Sequence, residues 1–379
     1  MLPVVRRAEN RPSRRAFLGI TGALAATGFT AACDSPSAQS GSSPAITPVS
    51  PTGRCQAGIT LPQPAQPNLL AVIADLDAPP GPLLAELGTT IRALTAGTDP
   101  RLLGLPPGDL TVTIGIGPRL VDPALPGGTD LPEFARERIG PRARGGDLLI
   151  QVCASDPLVP PVAAAALLTQ AGDRLQERWR QSGRRGSNIP VDQGLTAPRN
   201  LLGFIDGIVG PHSTAEQQRD LWLAGPAPVA GGTIAVLRRM ELDVPRFAAL
   251  PVAGQEAVFG RHRGTGAPLS GGAITANPDL GAKTPDGRYL VPATAHVRRA
   301  NANVVGAGLM LRRSYSTDEP APGLLFISFQ NDIRTFTSTL THMGDTDALL
   351  AFTTTTASAT FLILPGFDER RPLGGTLFH

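Results

Sequence analysis

The stretch Asn200-Leu201-Leu202-Gly203-Phe204-Ile205-Asp206-Gly207-Ile208-Val209-Gly210-Pro211 sets one carboxylate inside an apolar run. A carboxylate is costly to bury unless a partner or a chemical task keeps it there. Glycines at 203, 207 and 210 let the backbone turn tightly and come close to something flat or bulky. The same letters suit a turn aspartate in a Gly-rich loop, and the stretch alone does not choose between the two readings.

Outward from it, the chain alternates strand-like and helix-like segments. Upstream, Asn68 to Ala74 is a continuous apolar run fit for a buried strand. Pro82 to Thr95 carries Leu83, Leu84, Leu87, Ile91 and Leu94 at helical spacing. Leu110 to Ile116 and Asp147 to Cys153 read as strands, Pro161 to Gln181 (with Trp179) as a helix, and Ser182 to Pro198 as a polar loop. Gly115-Ile116-Gly117 lacks a third glycine and a following helix, so it is not a dinucleotide loop. Downstream, Thr233 to Met240 predicts a strand, with short helices at Val244 to Leu250 and Gly254 to Phe259. Arg263 to Thr294 is rich in Gly, Pro, Asp and Thr and predicts a long irregular segment, which within a compact domain is usually functional. Gly308 to Ser314, Leu324 to Phe329 and Thr360 to Leu364 read as strands, and Asp332 to His342 and Asp345 to Phe352 as helical. The order predicts two packed α+β domains.

The N-terminus has another purpose. Ser13-Arg14-Arg15-Ala16-Phe17-Leu18-Gly19 resembles a twin-arginine export signal, followed by an apolar region too short and Gly/Ala-rich to span a membrane. Residues 1–32 are read as that signal, which implies a bacterial protein working outside the cytoplasm, in periplasm, cell envelope or medium. Thr30-Ala31-Ala32-Cys33 looks like a lipoprotein box, with Thr where Leu is usual, so Cys33 is a candidate for lipidation and a membrane tether. Residues 33–54, rich in Ser, Pro and Gly, form a linker that cannot bury a core. Cys55 and Cys153 are candidates for a disulfide in an oxidising compartment, although the apolar run around Cys153 suits a buried thiol.

Composition narrows the classes. The 379 residues are 41% hydrophobic and 17% charged with a net charge of +3, a globular balance. Lys283 is the sole lysine and the arginines are scattered, with no basic stripe interleaved with aromatics, so nucleic acid is not an expected partner.

Among the histidines, His212, His262, His342 and His379 fall in a turn, a basic cluster, a helix end and the terminus. His296 differs. Small residues precede it in Pro292-Ala293-Thr294-Ala295-His296-Val297-Arg298-Arg299, leaving room for a bulky group, and a lone imidazole is a common haem-iron ligand. It also suits a structural histidine. Arg312-Arg313 lies in a strand-like run, so one guanidinium must face inward and needs an anion, for which Asp206 is a candidate.

Together, Gly203-Phe204-Ile205-Asp206-Gly207, Ala295-His296-Val297-Arg298-Arg299 and Arg312-Arg313-Ser314-Tyr315 resemble the dye-decolorising peroxidases, a haem family. Gln56-Ala57-Gly58-Ile59, Gly146 to Ala154, Gly231-Gly232-Thr233 and Gln255 to Arg261 are similar to family signatures in the same order, so the resemblance runs from about residue 55 to the end. It implies an α+β fold of two ferredoxin-like domains with antiparallel sheets, residues 55–210 and 211–379, and haem b in the C-terminal half near their junction. It implies His296 as proximal iron ligand, with Asp206 and Arg312 on the opposite side. Cleaving a peroxide O–O bond needs a proton moved from one oxygen to the other and stabilisation of the departing charge. Arg312 would supply fixed charge and Asp206 the proton or the positioning. A carboxylate held ionised by Arg312 would work in acid, so an acidic optimum is expected. Gly207 would let the backbone lie against the porphyrin, and Arg298, Arg299 and Arg238 would meet propionates. Phe326 and Phe329 would wall the pocket or simply pack the core. Asp347 would accept from the His296 ring or start a helix. Ala300-Asn301-Ala302 follows Arg299 where many relatives have Asn-Pro, and Ser314 stands where some have Asn, which places the chain nearer an exported, iron-uptake-associated branch. The implied partners are hydrogen peroxide and a bulky reducing substrate, with Trp179, Trp222, Tyr289 and Tyr315 as relays. The alternative is a haem-handling deferrochelatase of an iron-uptake system. Whether the chain forms a homo-oligomer is left open.

Overall fold

The computed structural model describes residues 46–192, 194–344 and 346–378; the export signal, Cys33, the start of the linker, Asp345 and His379 lie outside the described residues. The first half runs β1 (Asn68–Leu76), α1 (Pro80–Thr95), β2 (Thr111–Ile116), β3 (Leu148–Ala154), α2 (Val159–Ala171) and β4 (Leu175–Arg184). A small hairpin, β5 (Ile189–Asp192) and β6 (Leu195–Ala197), and α3 (Thr214–Asp220) lead into the second half. There follow β7 (Thr233–Leu242), α4 (Val244–Ala248), α5 (Val252–Phe259), α6 (His296–Arg299), α7 (Ala302–Val305), β8 (Leu311–Arg312), β9 (Tyr315–Thr317), β10 (Gly323–Gln330), α8 (Ile333–Met343) and β11 (Thr353–Ile363).

Both halves share one topology. β4-β1-β3-β2 in the first and β11-β7-β10 with β8 and β9 in the second are antiparallel sheets with the strand order of a ferredoxin-like domain. The halves are not separate sheets, because β2 pairs with β11 and β4 with β9, so the strands close into one ring. Gln56 clips one seam: its side-chain amide donates to the carbonyls of Ile114 and Leu364 and accepts from Ile114 N–H. Gly117 follows β2 where a Cβ would lie 1.9 Å from the Gly146 carbonyl oxygen, which explains this glycine without a cofactor.

Three segments differ from the sequence reading, and one of them is the polar loop expected over Ser182 to Pro198, which instead holds the end of β4 and the hairpin β5–β6. The helix expected to Gln181 ends at Ala171, where Gly172 adopts φ 57°, and Trp179 lies on β4. Trp179, Gln181 and Gly183 are buried with exposed residues between them, and this period-two alternation, not helical spacing, was the operative signal. The strand expected over Gly308 to Ser314 is only two residues long, preceded by α7. Arg263 to Thr294 holds no helix or extended strand, as expected.

Aliphatic side chains of β1, β2 and β3 pack against α1 and α2, while Ile73, Trp179, Leu237, Ile327, Phe329 and Phe361 fill the space enclosed by the ring. Cys55 and Cys153 are free thiols, not the disulfide considered above. Burial pushes the Cys153 thiol up to about 11, and the Tyr315 hydroxyl donates to its sulfur at 3.7 Å.

Candidate active site

The sheet face decides which side chains can meet. Arg312 on β8 sits opposite Ser328 on β10, which sits opposite Val236 on β7; Phe326 pairs with Arg238. Paired residues share a face, so Arg312, Ser328, Phe326 and Arg238 point away from the ring interior. Phe329 is one step out of phase, pairs with Leu311 and is fully buried in the interior core. Of the two phenylalanines, only Phe326 belongs to the site face, where it packs against Phe336 of α8.

His296 opens α6 directly after the buried Ala295. Its Nδ1–H donates to Asp347 Oδ2 at 2.8 Å, and the Asp347 side chain is fully buried. The other carboxylate oxygen of Asp347 accepts from Leu349 N–H at 2.8 Å, capping the short 3-10 helix Ala348–Phe352. The two roles weighed for Asp347 are thus held at once by its two oxygens. Because Nδ1 is the donor, Nε2 carries the lone pair, and it has no protein partner among the described residues. Phe259 meets the imidazole edge-on at 6.2 Å and stacks on Phe204 at 3.8 Å. Phe204, Phe247, Phe259 and Phe352 form a cluster that ties the Asp206 loop to the His296 helix. Sequence reasoning missed this link, since the four lie far apart in the chain.

The Asp206 loop is fixed from both sides. Asn200 Oδ1 accepts from Leu202 and Phe204 N–H, and Asp206 N–H donates to the Pro198 carbonyl. Arg199 donates to the carbonyls of Gly203, Arg263 and Gly264. Gly203 and Gly207 adopt φ of 82° and 78°, the left-handed region that glycine tolerates. Asp206 Oδ1 accepts from Gly207 N–H at 2.8 Å. A groove of about 10 Å³ adjoins Asp206, Ser314 and Arg185, close to the volume one water needs.

The arginines are arranged differently from the expectation. Among the described residues no ion pair joins Asp206 to Arg312, so the cause offered for an acidic optimum is not in place; Arg312 donates to the Val209 carbonyl at 3.2 Å. Its neighbour Arg313 is the inward-facing guanidinium, fully buried, and it is satisfied by carbonyls of Ile59, Leu61 and Pro62 and by Gln66 rather than by an anion. Arg238 already has a carboxylate, Glu137 at 2.6 Å. Arg298 reaches the carbonyls of Leu280, Val291 and Pro292 and lies over Tyr289, bracing the long loop. Arg299 donates to the His342 carbonyl, and its Nε is buried without a partner. Of the three arginines assigned to propionates, Arg238 and Arg298 are thus engaged elsewhere.

Two others were overlooked. Arg261 donates to the carbonyls of Gly266 and Ile274, has no carboxylate among the described residues, and is lowered first by burial and then by the like charge of Arg312. Arg185, at the end of β4, lies over the Tyr315 ring and would be 3.6 Å from a Cβ at Gly207, again with no ion pair among the described residues. Positive charge without anions gathers where Arg261 and Arg312 meet. Only the fold brings Arg261 and Arg312 together across 51 positions of sequence.

Comparisons with known protein families and solved structures cover most of the chain. Residues 56–185 match the model for the Dyp-type peroxidase N-terminal domain and residues 197–368 that for the C-terminal domain. The chain belongs to the dye-decolorising peroxidase family. It is 35% identical over 298 residues to a dye-decolorizing peroxidase of Thermobifida fusca, covering 73% of this chain and 69% of that one. It is 29% identical to a deferrochelatase of Escherichia coli over 97% of both chains. Among solved structures, DtpA from Streptomyces lividans, in an oxyferrous complex, superposes with a TM-score of 0.81 at 29% identity over 88% of this chain and 98% of that one. A DyP-type peroxidase from Cellulomonas bogoriensis gives 0.79 at 30% identity over 89% and 99%.

The chain is accordingly a haem peroxidase of this family, and the residues present fit the cofactor. His296 Nε2 offers a ligand whose tautomer is fixed from behind. Arg312 Nε and Ser328 Oγ, side by side on the site face, are buried without partners among the described residues, which marks a place where a further group completes the polar contacts. Arg261, beside Arg312 and without a carboxylate among the described residues, supplies charge of the sign that propionates require.

Proposed function

We propose that His296 holds the haem iron through Nε2 and that Asp206 and Arg312 carry out the peroxide chemistry. The observation that carries this reading is the His296–Asp347 hydrogen bond, which commits Nδ1 and frees Nε2. When bound, haem supplies the redox centre that takes electrons from a donor and delivers them to peroxide. The protein contributes position and protons. Asp347 keeps the imidazole in one tautomer and orientation. Arg312, steered by the Val209 carbonyl, presents a fixed positive charge where charge develops on the departing oxygen. Asp206, held by Gly207 N–H through one oxygen, has no partner for the other among the described residues, and that oxygen takes a proton from one peroxide oxygen and returns it to the other. Arg261 is the propionate partner that this geometry favours.

The groove beside Asp206, close to one water in volume, is far too small for a dye. Bulky reductants therefore give up their electrons at the surface. Tyr315 is a poor relay, because its hydroxyl faces a neutral buried thiol with no base to take the proton and the buried Arg313 lies near. Tyr289, half exposed between Lys283 and Arg298, is better placed, and Arg298 shares α6 with His296.

The twin-arginine motif supports export to the cell envelope or beyond, and the Thr30-Ala31-Ala32-Cys33 box supports a lipid tether. A haem-handling role within iron uptake is favoured by the full-length similarity to a deferrochelatase. One experiment separates the readings: stoichiometric peroxide added to the haem-loaded protein. A rapid Soret change, slowed about 10²-fold or more in Arg312→Ala and in Asp206→Asn, supports the peroxidase. Indifference to peroxide with accumulation of iron-free porphyrin supports the handler.

A further inference from the structure

Where residues 60–63 meet residues 211–217 lies a half-open cavity of about 370 Å³, within the roughly 300–1,000 Å³ of small-molecule sites. Leu61, Pro211 and Leu311 form its apolar side, and Thr60, Gln63, Gln217 and His212 its polar side. Among the described residues no carboxylate, lysine or arginine lines it, so it suits an uncharged ligand with hydrogen-bonding groups. One wall is held in place: the buried Arg313 grips the carbonyls of Ile59, Leu61 and Pro62. Leu311 lines this cavity and Arg312 belongs to the peroxide site, so the two places lie on opposite faces of the two-residue strand β8.

His212 has a defined tautomer. Its Nε2 is 2.9 Å from the Ile208 carbonyl, which can only accept, so Nε2 carries the hydrogen. Nδ1 is then a lone-pair acceptor with no partner among the described residues. Glu216 of α3 binds the His212 backbone N–H, not the ring.

We propose that this cavity is a second donor site, for a small uncharged phenol, with His212 Nδ1 as the proton acceptor. The proposal rests on the peroxidase reading for its oxidant. In each turn the phenol O–H bond breaks, its proton goes to His212 Nδ1, and its electron crosses β8 to the enzyme oxidised by peroxide. A phenoxyl radical leaves, so two phenols and one hydrogen peroxide yield two phenoxyl radicals and two waters.

The test uses the haem-loaded protein with phenol itself and, separately, an anionic azo dye. His212→Ala is expected to lower kcat for phenol about 10²-fold and to diminish its solvent isotope effect. Gln63→Trp, which fills the cavity, is expected to raise KM for phenol and abolish its binding in calorimetry without peroxide. Dye turnover and the Soret response to peroxide stay at wild-type values in both. Wild-type phenol oxidation in both variants would overturn the proposal, as would phenol binding undiminished in Gln63→Trp. Stoichiometric phenol binding that Gln63→Trp abolishes, in a preparation without any peroxide response, would keep the site and sink the peroxidase reading instead.

Discussion

Asp347→Asn is a sharp perturbation of the proposed haem site because it changes chemistry without changing shape. The wild-type carboxylate accepts twice, from His296 Nδ1–H and from Leu349 N–H, each at 2.8 Å. An amide has one accepting oxygen. If that oxygen keeps the cap, its NH2 faces Nδ1, which must then accept, and the hydrogen moves to Nε2, the atom proposed to hold iron. If the oxygen keeps the histidine, the cap is lost at about 1 kcal/mol. Retaining the cap therefore leaves the fold near wild-type stability and weakens haem binding about 10- to 100-fold, or about 1.4 to 2.7 kcal/mol. Asp347→Ala loses the cap and the charged hydrogen bond together, with about 1.5–3 kcal/mol from the latter. The assay is a haem titration followed by the Soret band, paired with calorimetry of the haem-free protein. Wild-type haem affinity with an unchanged Soret spectrum in Asp347→Asn would refute the reasoning, since His296 would then not depend on a fixed tautomer.

The remaining predictions concern other parts of the molecule. Arg312→Lys keeps the charge but loses the planar fork held by the Val209 carbonyl, so stopped-flow rates with peroxide should fall, though less than in Arg312→Ala. Phe329→Ala should destabilise the fold by about 3–5 kcal/mol in denaturant unfolding, while any folded fraction reacts normally with peroxide, because Phe329 faces the ring interior. Cys153, its thiol raised by burial to about 11, should resist alkylation at pH 8 in the native protein and react on unfolding. The folded state favours the neutral thiol, so its contribution to stability is present below the unfolded-state value and is lost as pH rises toward 11, which alkaline unfolding curves will show. Replacing Trp179 and Trp222 together by Phe should lower dye turnover and leave the peroxide step unchanged if electrons pass through them. Unaltered turnover would leave Tyr289 as the route.

Sequence by itself determined the family and the two α+β halves, and it singled out His296, Asp206 and Arg312 as candidates. It did so because glycine-bracketed loops and runs of adjacent arginines are local patterns. It also raised both roles of Asp347, though not that two oxygens fill them together. What it could not reach was partnership across distance. Arg298 and Arg238 carry the right charge for propionates, yet the loop carbonyls and Glu137 engage them. Arg261, which has no carboxylate among the described residues, sits in a plain Gly-Arg-His run. Phe326 and Phe329 read alike in the sequence, and strand phase puts them on opposite faces. The cavity at His212 forms where residues 60–63 meet residues 211–217, a contact set by ring closure of the sheet and by the grip of Arg313. Local chemistry is written in neighbouring letters, whereas the pairing of charges and the shape of voids depend on which distant segments the closed sheet brings together.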